Sequence, residues 1–367
     1  MAEFAELNNK PDLDESLRRL TAWLSQEVID RPPIRFTGHN VYQTAEFRPT
    51  DAWKTLKDRW FDTEYQVDSF LKSIEGKSFL GETFPVFVPN LGPEVYAAFY
   101  GCDLLFQEIT SYCMPRIKQW SDMEQLSWSP ENEYCSKLRE ITDVALEKCD
   151  GSYWVGYPDL HPGGDCAAAW RDPQQFCMDM LLAPEECETL MARASADFLE
   201  IYDYFAKPLA ARNQPSISWM GIPFPDNMHI PSCDFASLVS EKLFRKFLLP
   251  PIVQEIRSMQ YNIFHLDGVG VARHLDALLE QPEIHAIQWV QGFGKHQPIL
   301  QWVPMIKSIV RSGKSVLLEI APEELEPLMQ EISPEGIMLS VEAPENIQKD
   351  LLQMLKRWTM SSCRFVR

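Results

Sequence analysis

Apolar positions recur along this chain with two different periods. From Tyr261 onward, strand-like apolar runs fall at 261–267, 285–291, 314–320 and 336–342. Each is followed by apolar residues spaced three and four apart, the mark of an amphipathic helix. The clearest instance is YNIFHLDGVGVARHLDALLEQPEIHAIQWVQG, from Tyr261 to Gly292. Its first run, Tyr261 to Leu266, leads into the polar group His265, Asp267 and Gly268. Val271, Leu275, Leu278 and Leu279 then share one helical face, and a second run, Ala286 to Val290, ends at Gly292. Alternating units of this kind predict a parallel sheet, with ligands at the exits of its strands.

The earlier part of the chain is less regular. Leu17, Leu20, Leu24 and Val28 predict a helix, capped by Asp14 or Ser16 and ended by Pro32 and Pro33. Further helical stretches are predicted at 51–73, 132–148, 184–206 and 237–259, the last interrupted by Pro250 and Pro251. Pro93 is placed to open a helix that ends at Gly101. Extended segments are predicted at Phe84–Asn90, Leu104–Ile109, Tyr153–Tyr157, Ser216–Gly221 and Ile230–Phe235. With the four late runs, the expectation is an α/β fold, a (β/α)8 TIM barrel of about eight strands. The barrel would span residues 81–367, with residues 1–80 as an N-terminal helical extension packed on it. A doubly wound sheet is the alternative.

Composition narrows the function classes. The 367 residues are 45% hydrophobic and 24% charged, enough for a sizeable core. A net charge of −19 without a basic block argues against nucleic-acid binding, which depends on clustered Lys and Arg. The N-terminal stretch is polar and acidic, unlike a signal peptide, and no apolar run approaches the roughly 20 residues of a membrane helix. Nine cysteines, none in a CxxC pair, read as reduced thiols of a cytoplasmic protein. Walker A, HExxH and GxSxG motifs are absent, and Gly268-Val269-Gly270 lacks the third glycine of a dinucleotide fingerprint.

Candidate chemistry gathers at the strand exits. His265 and Asp267 are two apart, so on a strand they share a face, with Cα atoms about 6.5 Å apart. That suits two ligands of one metal, or a base oriented by a carboxylate. Asp267 as a plain helix cap and His265 as an interior side chain are the bland alternatives. Glu319 and Glu342 end the last two strands, in EIAPEEL and VEAPENI, as acid/base or ligand candidates; each would otherwise cap its own helix. Gln288 and Trp289 would line a substrate pocket, unless Trp289 is core. Asp159 and His161, in a Gly/Pro-rich loop after an earlier strand, are candidate substrate contacts. Arg171 would clamp a carboxylate or hold the rim. His274-Leu275-Asp276 reads as a solvated or capping pair, and His285 opens a strand on the side where stability is expected.

Three segments together resemble the uroporphyrinogen decarboxylase superfamily. They are DLHPGGDCAAAWRDPQQFCMDML at 159–181, DFASLVSEKLFRKFLLPPI at 234–252, and the Tyr261–Gly292 stretch. The resemblance covers roughly residues 80–360 and is greatest to the branch near the corrinoid-linked methyltransferases. It implies a (β/α)8 barrel with its cleft at the C-terminal strand ends, and a homodimer. The decarboxylases of the superfamily use no cofactor and hold their substrate with an Arg-rich N-terminal loop. Here Arg35, in RPPIRF, is isolated. The methyltransferases hold zinc with an HxC pair and a distant Cys. His265 matches the His, Asp267 stands where the Cys would be, and the last strand offers Ser340 and Glu342 but no Cys. A bound ion, zinc or another divalent metal, would therefore be held by His265, Asp267 and Glu342. The expected function is methyl transfer between a small O- or N-methylated compound and a corrinoid on a partner protein. The alternatives are a cofactor-independent decarboxylase of a small acid and a non-catalytic binding protein.

Overall fold

The computed structural model describes residues 4–37, 50–292 and 294–362. In chain order its strands are β1 (Ile34–Thr37), β2 (Val86–Phe87), β3 (Leu104–Phe106), β4 (Ser111–Cys113), β5 (Trp154–Val155), β6 (Met228–His229), β7 (Tyr261–Asp267), β8 (Ala286–Val290), β9 (Ser315–Ile320) and β10 (Ile337–Glu342). The chain divides into two compact units. One comprises Met1–Glu6, Val41–Gly76 and Pro85–Gln260; the other comprises Leu7–Asn40, Lys77–Phe84 and Tyr261–Arg367.

The second unit holds the regular βα pattern. Its strands pair in parallel in the order β1-β10-β9-β8-β7. The four late strands lie within a residue or so of the predicted runs. Ile263, Phe264, Ile287, Leu317, Leu318 and Leu339 are fully buried, as expected where both faces of a parallel sheet are covered. β1 was not among the predicted strands. It runs beside β10, with Arg35 opposite Ser340 and Thr37 opposite Glu342.

Several interactions hold this early segment to the late strands. The helix Leu13–Leu24 carries Trp23, fully buried, whose indole N–H donates to the carbonyls of Val316 (3.3 Å) and Gly336 (3.1 Å). Arg31 forms a two-pronged pair with Glu82 at 2.7 and 2.9 Å, and Glu82 also accepts the backbone N–H of Ile34 at 2.7 Å. Gly81 adopts φ +61°, and a Cβ there would lie 2.4 Å from the Ile34 carbonyl oxygen, so the approach of the two backbones requires glycine.

In the first unit β2 and β5 pair in parallel, Val86 opposite Trp154, with Phe70 packed edge-on against Phe87 and Tyr153. The helix Glu133–Lys148 starts as its sequence predicts, with the Asn132 side chain accepting from the N–H groups of Tyr134 and Cys135. Of three expected strands, one forms in a shortened, antiparallel version and two are corrected. Leu104–Ile109 becomes one arm of an antiparallel hairpin, β3 with β4, because the chain turns at Gln107–Thr110. Ser216–Gly221 supplies only an isolated bridge, Ser216 to Phe224, because a turn at Ser218–Gly221 interrupts it. Ile230–Phe235 is broken by Pro231 and runs into a 3-10 turn at Asp234–Leu238, leaving β6 just before it. Pro250 and Pro251 do not end their helix. They sit in the first turn of Leu249–Arg257, after a wider π turn at Phe244–Leu248. The fold is thus α/β with a parallel sheet, but among the described residues no ladder closes into a ring of eight strands.

Candidate active site

In the second unit, polar side chains form a row near the C-terminal ends of five neighbouring strands. His265 lies opposite Gln288, Ser340 opposite Glu319, and Arg35 opposite Ser340. Gln288 lies opposite Leu317, and Glu319 is two residues further along β9, on the same face. The row therefore follows from register and strand periodicity together. His265 Nδ1 is 2.7 Å from Gln288 Oε1, and Gln288 Nε2 donates to Glu319 Oε1 at 3.1 Å. Arg35 Nε donates to Ser340 Oγ at 3.0 Å, and its guanidinium is 4.0 Å from the same Glu319 oxygen. Burial lowers the Arg35 pKa from its ordinary value, with Glu319 opposing the shift. An arginine keeps its charge regardless.

Asp267 ends β7, exposed. It stands at the cap position of the short helix Gly268–Ala272 but makes no side-chain capping bond, which leaves its carboxylate uncommitted to that role. A ligand nitrogen of His265 and a carboxylate oxygen of Asp267 lie within 4.8 Å of each other. Glu342, exposed at the end of β10, does not join the pair at that distance. Glu319 does not cap the turn after it. Glu324 does so, accepting from Ala321 N at 3.0 Å and from Ile299 N at 2.7 Å. Trp289 is core, fully buried and edge-on to Trp302 at 4.8 Å. Gln291 is tied to the backbone, donating to the carbonyls of Gln297 and Glu319. His274 is buried, not solvated, while His285 accepts the N–H of Asn262 at the opposite end of the sheet from Asp267.

The first unit has its own polar constellation. His161 Nε2 lies 2.8 Å from Asp159 Oδ2, and His161 Nδ1 lies 2.6 Å from Ser232 Oγ. The ring is largely buried, which lowers its pKa, but the Asp159 charge and hydrogen bond, with Asp165 and Asp234, outweigh burial and push it up to about 10. Asp165 accepts the backbone N–H groups of Asp234 (3.1 Å) and Phe235 (2.9 Å). Burial, with Asp165 nearby, raises the Glu94 carboxyl, while the N–H of Cys113 donates to it and opposes the rise. Ser232 and Glu94 carried no sequence signal beyond being polar residues near predicted strand or helix ends. Arg171 is not a solvent-facing clamp. It pairs with Asp179 at 2.7 Å, donates to the carbonyls of Ile117 (3.1 Å) and Lys118 (2.7 Å), and lies over the Trp120 ring.

The strand ends of the second unit offer an imidazole and carboxylates but no thiolate, since the described free cysteines lie between Cys102 and Cys233. By donor type they suit a hard or borderline ion and not thiolate-held zinc. Among solved structures, the chain is similar to a methyltransferase from Methanosarcina mazei, with TM-score 0.61, 13% identity, and coverage of 96% of this chain and 99% of that one. At that identity the likeness shows a shared fold. No family model matches the chain, and no curated protein does.

Proposed function

We propose that the chain is a methyltransferase of the uroporphyrinogen decarboxylase-like superfamily. It would move a methyl group between a small O- or N-methylated compound and a corrinoid carried by a partner protein. The observation that carries this reading is His265 and Asp267 at the exit of β7, with ligand atoms within 4.8 Å. By the sequence resemblance His265 matches the His, and Asp267 replaces the Cys, of the metal-holding pair of the corrinoid-linked methyltransferases, and the shared fold supports the comparison. Demethylation breaks a methyl–oxygen or methyl–nitrogen bond. The leaving atom keeps the electron pair and needs a proton or a positive charge. His265 can supply that proton or, with Asp267, hold zinc or another divalent ion, which would polarise the leaving atom. Arg35 adds a fixed positive charge to the row.

The test uses folded protein loaded with divalent metal, cob(I)alamin and a panel of O- and N-methylated compounds. Spectral conversion of cob(I)alamin to its methylated form is expected with at least one compound. His265→Ala should slow it roughly 100-fold or more. No conversion across the panel would overturn the reading. The half-buried guanidinium of Arg35 favours a second reading, a metal-independent decarboxylase of a small acid. Turnover of a carboxylated substrate by fully metal-free protein would favour that reading over the first. The superfamily resemblance also implies a homodimer, to be checked by sedimentation velocity.

A further inference from the structure

We infer that Gln288 and Glu319 are positioning residues that fix the tautomer of His265, with the hydrogen on Nδ1 and the lone pair of the neutral ring on Nε2. The inference deepens the methyl-transfer reading, but its first readout does not depend on it.

Glu319 Oε1 lies 4.0 Å from the Arg35 guanidinium, and Arg35 is itself held by Ser340 at 3.0 Å. A carboxylate offers only acceptor atoms. The group that Gln288 turns towards Glu319, at 3.1 Å, must then be its NH2. That orientation leaves the Gln288 carbonyl oxygen facing His265 Nδ1 at 2.7 Å. A carbonyl oxygen only accepts, so Nδ1 must carry a hydrogen. In the neutral ring the lone pair is then on Nε2. Gln288 is only 1% exposed, so water does not compete for its two ends. An amide thus transmits the polarity of a carboxylate on β9 to an imidazole on β7. Metal-binding histidines are commonly oriented by a partner on the other ring nitrogen, usually a carboxylate, a carbonyl or water. Here the amide oxygen fills that place and the carboxylate acts from one strand further away. An Nε2 lone pair binds a metal, and it is what remains when the Nε2–H of the imidazolium gives its proton to the leaving atom, so either use leaves the ring in this tautomer.

The experiment is nitrogen-15 NMR of the histidine-labelled, metal-free full chain, recorded above the imidazole titration, with His265→Ala to assign the signal. Wild-type His265 should show the Nδ1–H form. In Gln288→Leu it should revert towards the Nε2–H form that an unconstrained neutral histidine favours. In Glu319→Gln, which preserves shape but lets the Gln288 amide turn over, it should become mixed. Nε2–H in the wild type, or an unchanged tautomer in folded Gln288→Leu and Glu319→Gln proteins, would overturn the inference. Circular dichroism establishes that each variant is folded, and Glu319→Gln serves if Gln288→Leu is not. Where methyl transfer is measurable, both variants should lose about 10- to 100-fold in kcat or in metal affinity. An Nδ1–H tautomer without methyl transfer would defeat the proposed function and leave this inference standing. Methyl transfer with the opposite tautomer would do the reverse.

Discussion

His161 shows how a single side chain can be set by its neighbours. Its imidazole pKa is pushed up to about 10, because the charges of Asp159, Asp165 and Asp234 outweigh the cost of burying it. At neutral pH the ring is therefore charged and donates to both Asp159 and Ser232. It cannot then act as the base of a nucleophilic serine, despite the Ser232–His161–Asp159 order. The unfolded reference is near 6.5, so the folded state holds this proton more tightly. The resulting stability is fully present below about pH 6.5 and is lost as pH rises through about 10. NMR titration should find His161 still protonated at pH 8, and Asp159→Asn should lower its pKa by more than one unit, about 1.4 kcal/mol for each unit. The urea midpoint of the wild type should fall between pH 7 and 10 by more than that of Asp159→Asn. A His161 that titrates near 6.5 would contradict the arrangement.

At the scale of elements, β1 shows what a short strand needs. Its four residues have too little apolar pattern to declare themselves, and they hold their place through side chains outside the strand. Glu82 is completely buried and receives Arg31, the N–H of Ile34 and, at 3.3 Å, Arg19. Removing the charge of Glu82 leaves Arg31 buried without its partner. Glu82→Gln should cost about 3–5 kcal/mol in urea unfolding, with amide exchange of Ile34 and Phe36 accelerating before that of β7–β9. A loss below about 1 kcal/mol would mean that water relieves the pair. Gly81→Ala should be similarly damaging, since φ +61° and the Ile34 carbonyl both oppose a Cβ.

For the whole molecule, the two compact units interleave along the chain, so residue order is a poor guide to membership. Residues 7–37 belong with the last third, through β1 and Trp23, and the Lys10 ammonium ties them to residues 77–84 of the same unit by donating to the carbonyls of Phe79 and Gly81. Deleting residues 1–37 should therefore damage the sheet instead of trimming an appendage. It exposes the edge of β10 and empties the Trp23 site, so aggregation on gel filtration and a lower melting temperature are expected. A truncated chain with unchanged melting would refute this. Among the described residues no helix is long and apolar enough to cross a membrane.

The sequence by itself determined the elements whose signals are local. The four late strands, the Asn132 helix start and the polar exit at His265 and Asp267 all follow from periodicity and capping, which involve residues only a few positions apart. Tertiary structure alone decided which distant side chains face one another. Arg35 meets Ser340 and Glu319 only because β1 pairs with β10, and Ser232 meets His161 only through folding of segments 71 residues apart. It also decided that Trp289 is core, that Arg171 braces a loop, and that Gln288 links a histidine to a carboxylate. The physical reason is that hydrophobic pattern records which face of an element is buried. Register and the pairing of remote strands settle what that face meets, and those depend on contacts across the whole chain.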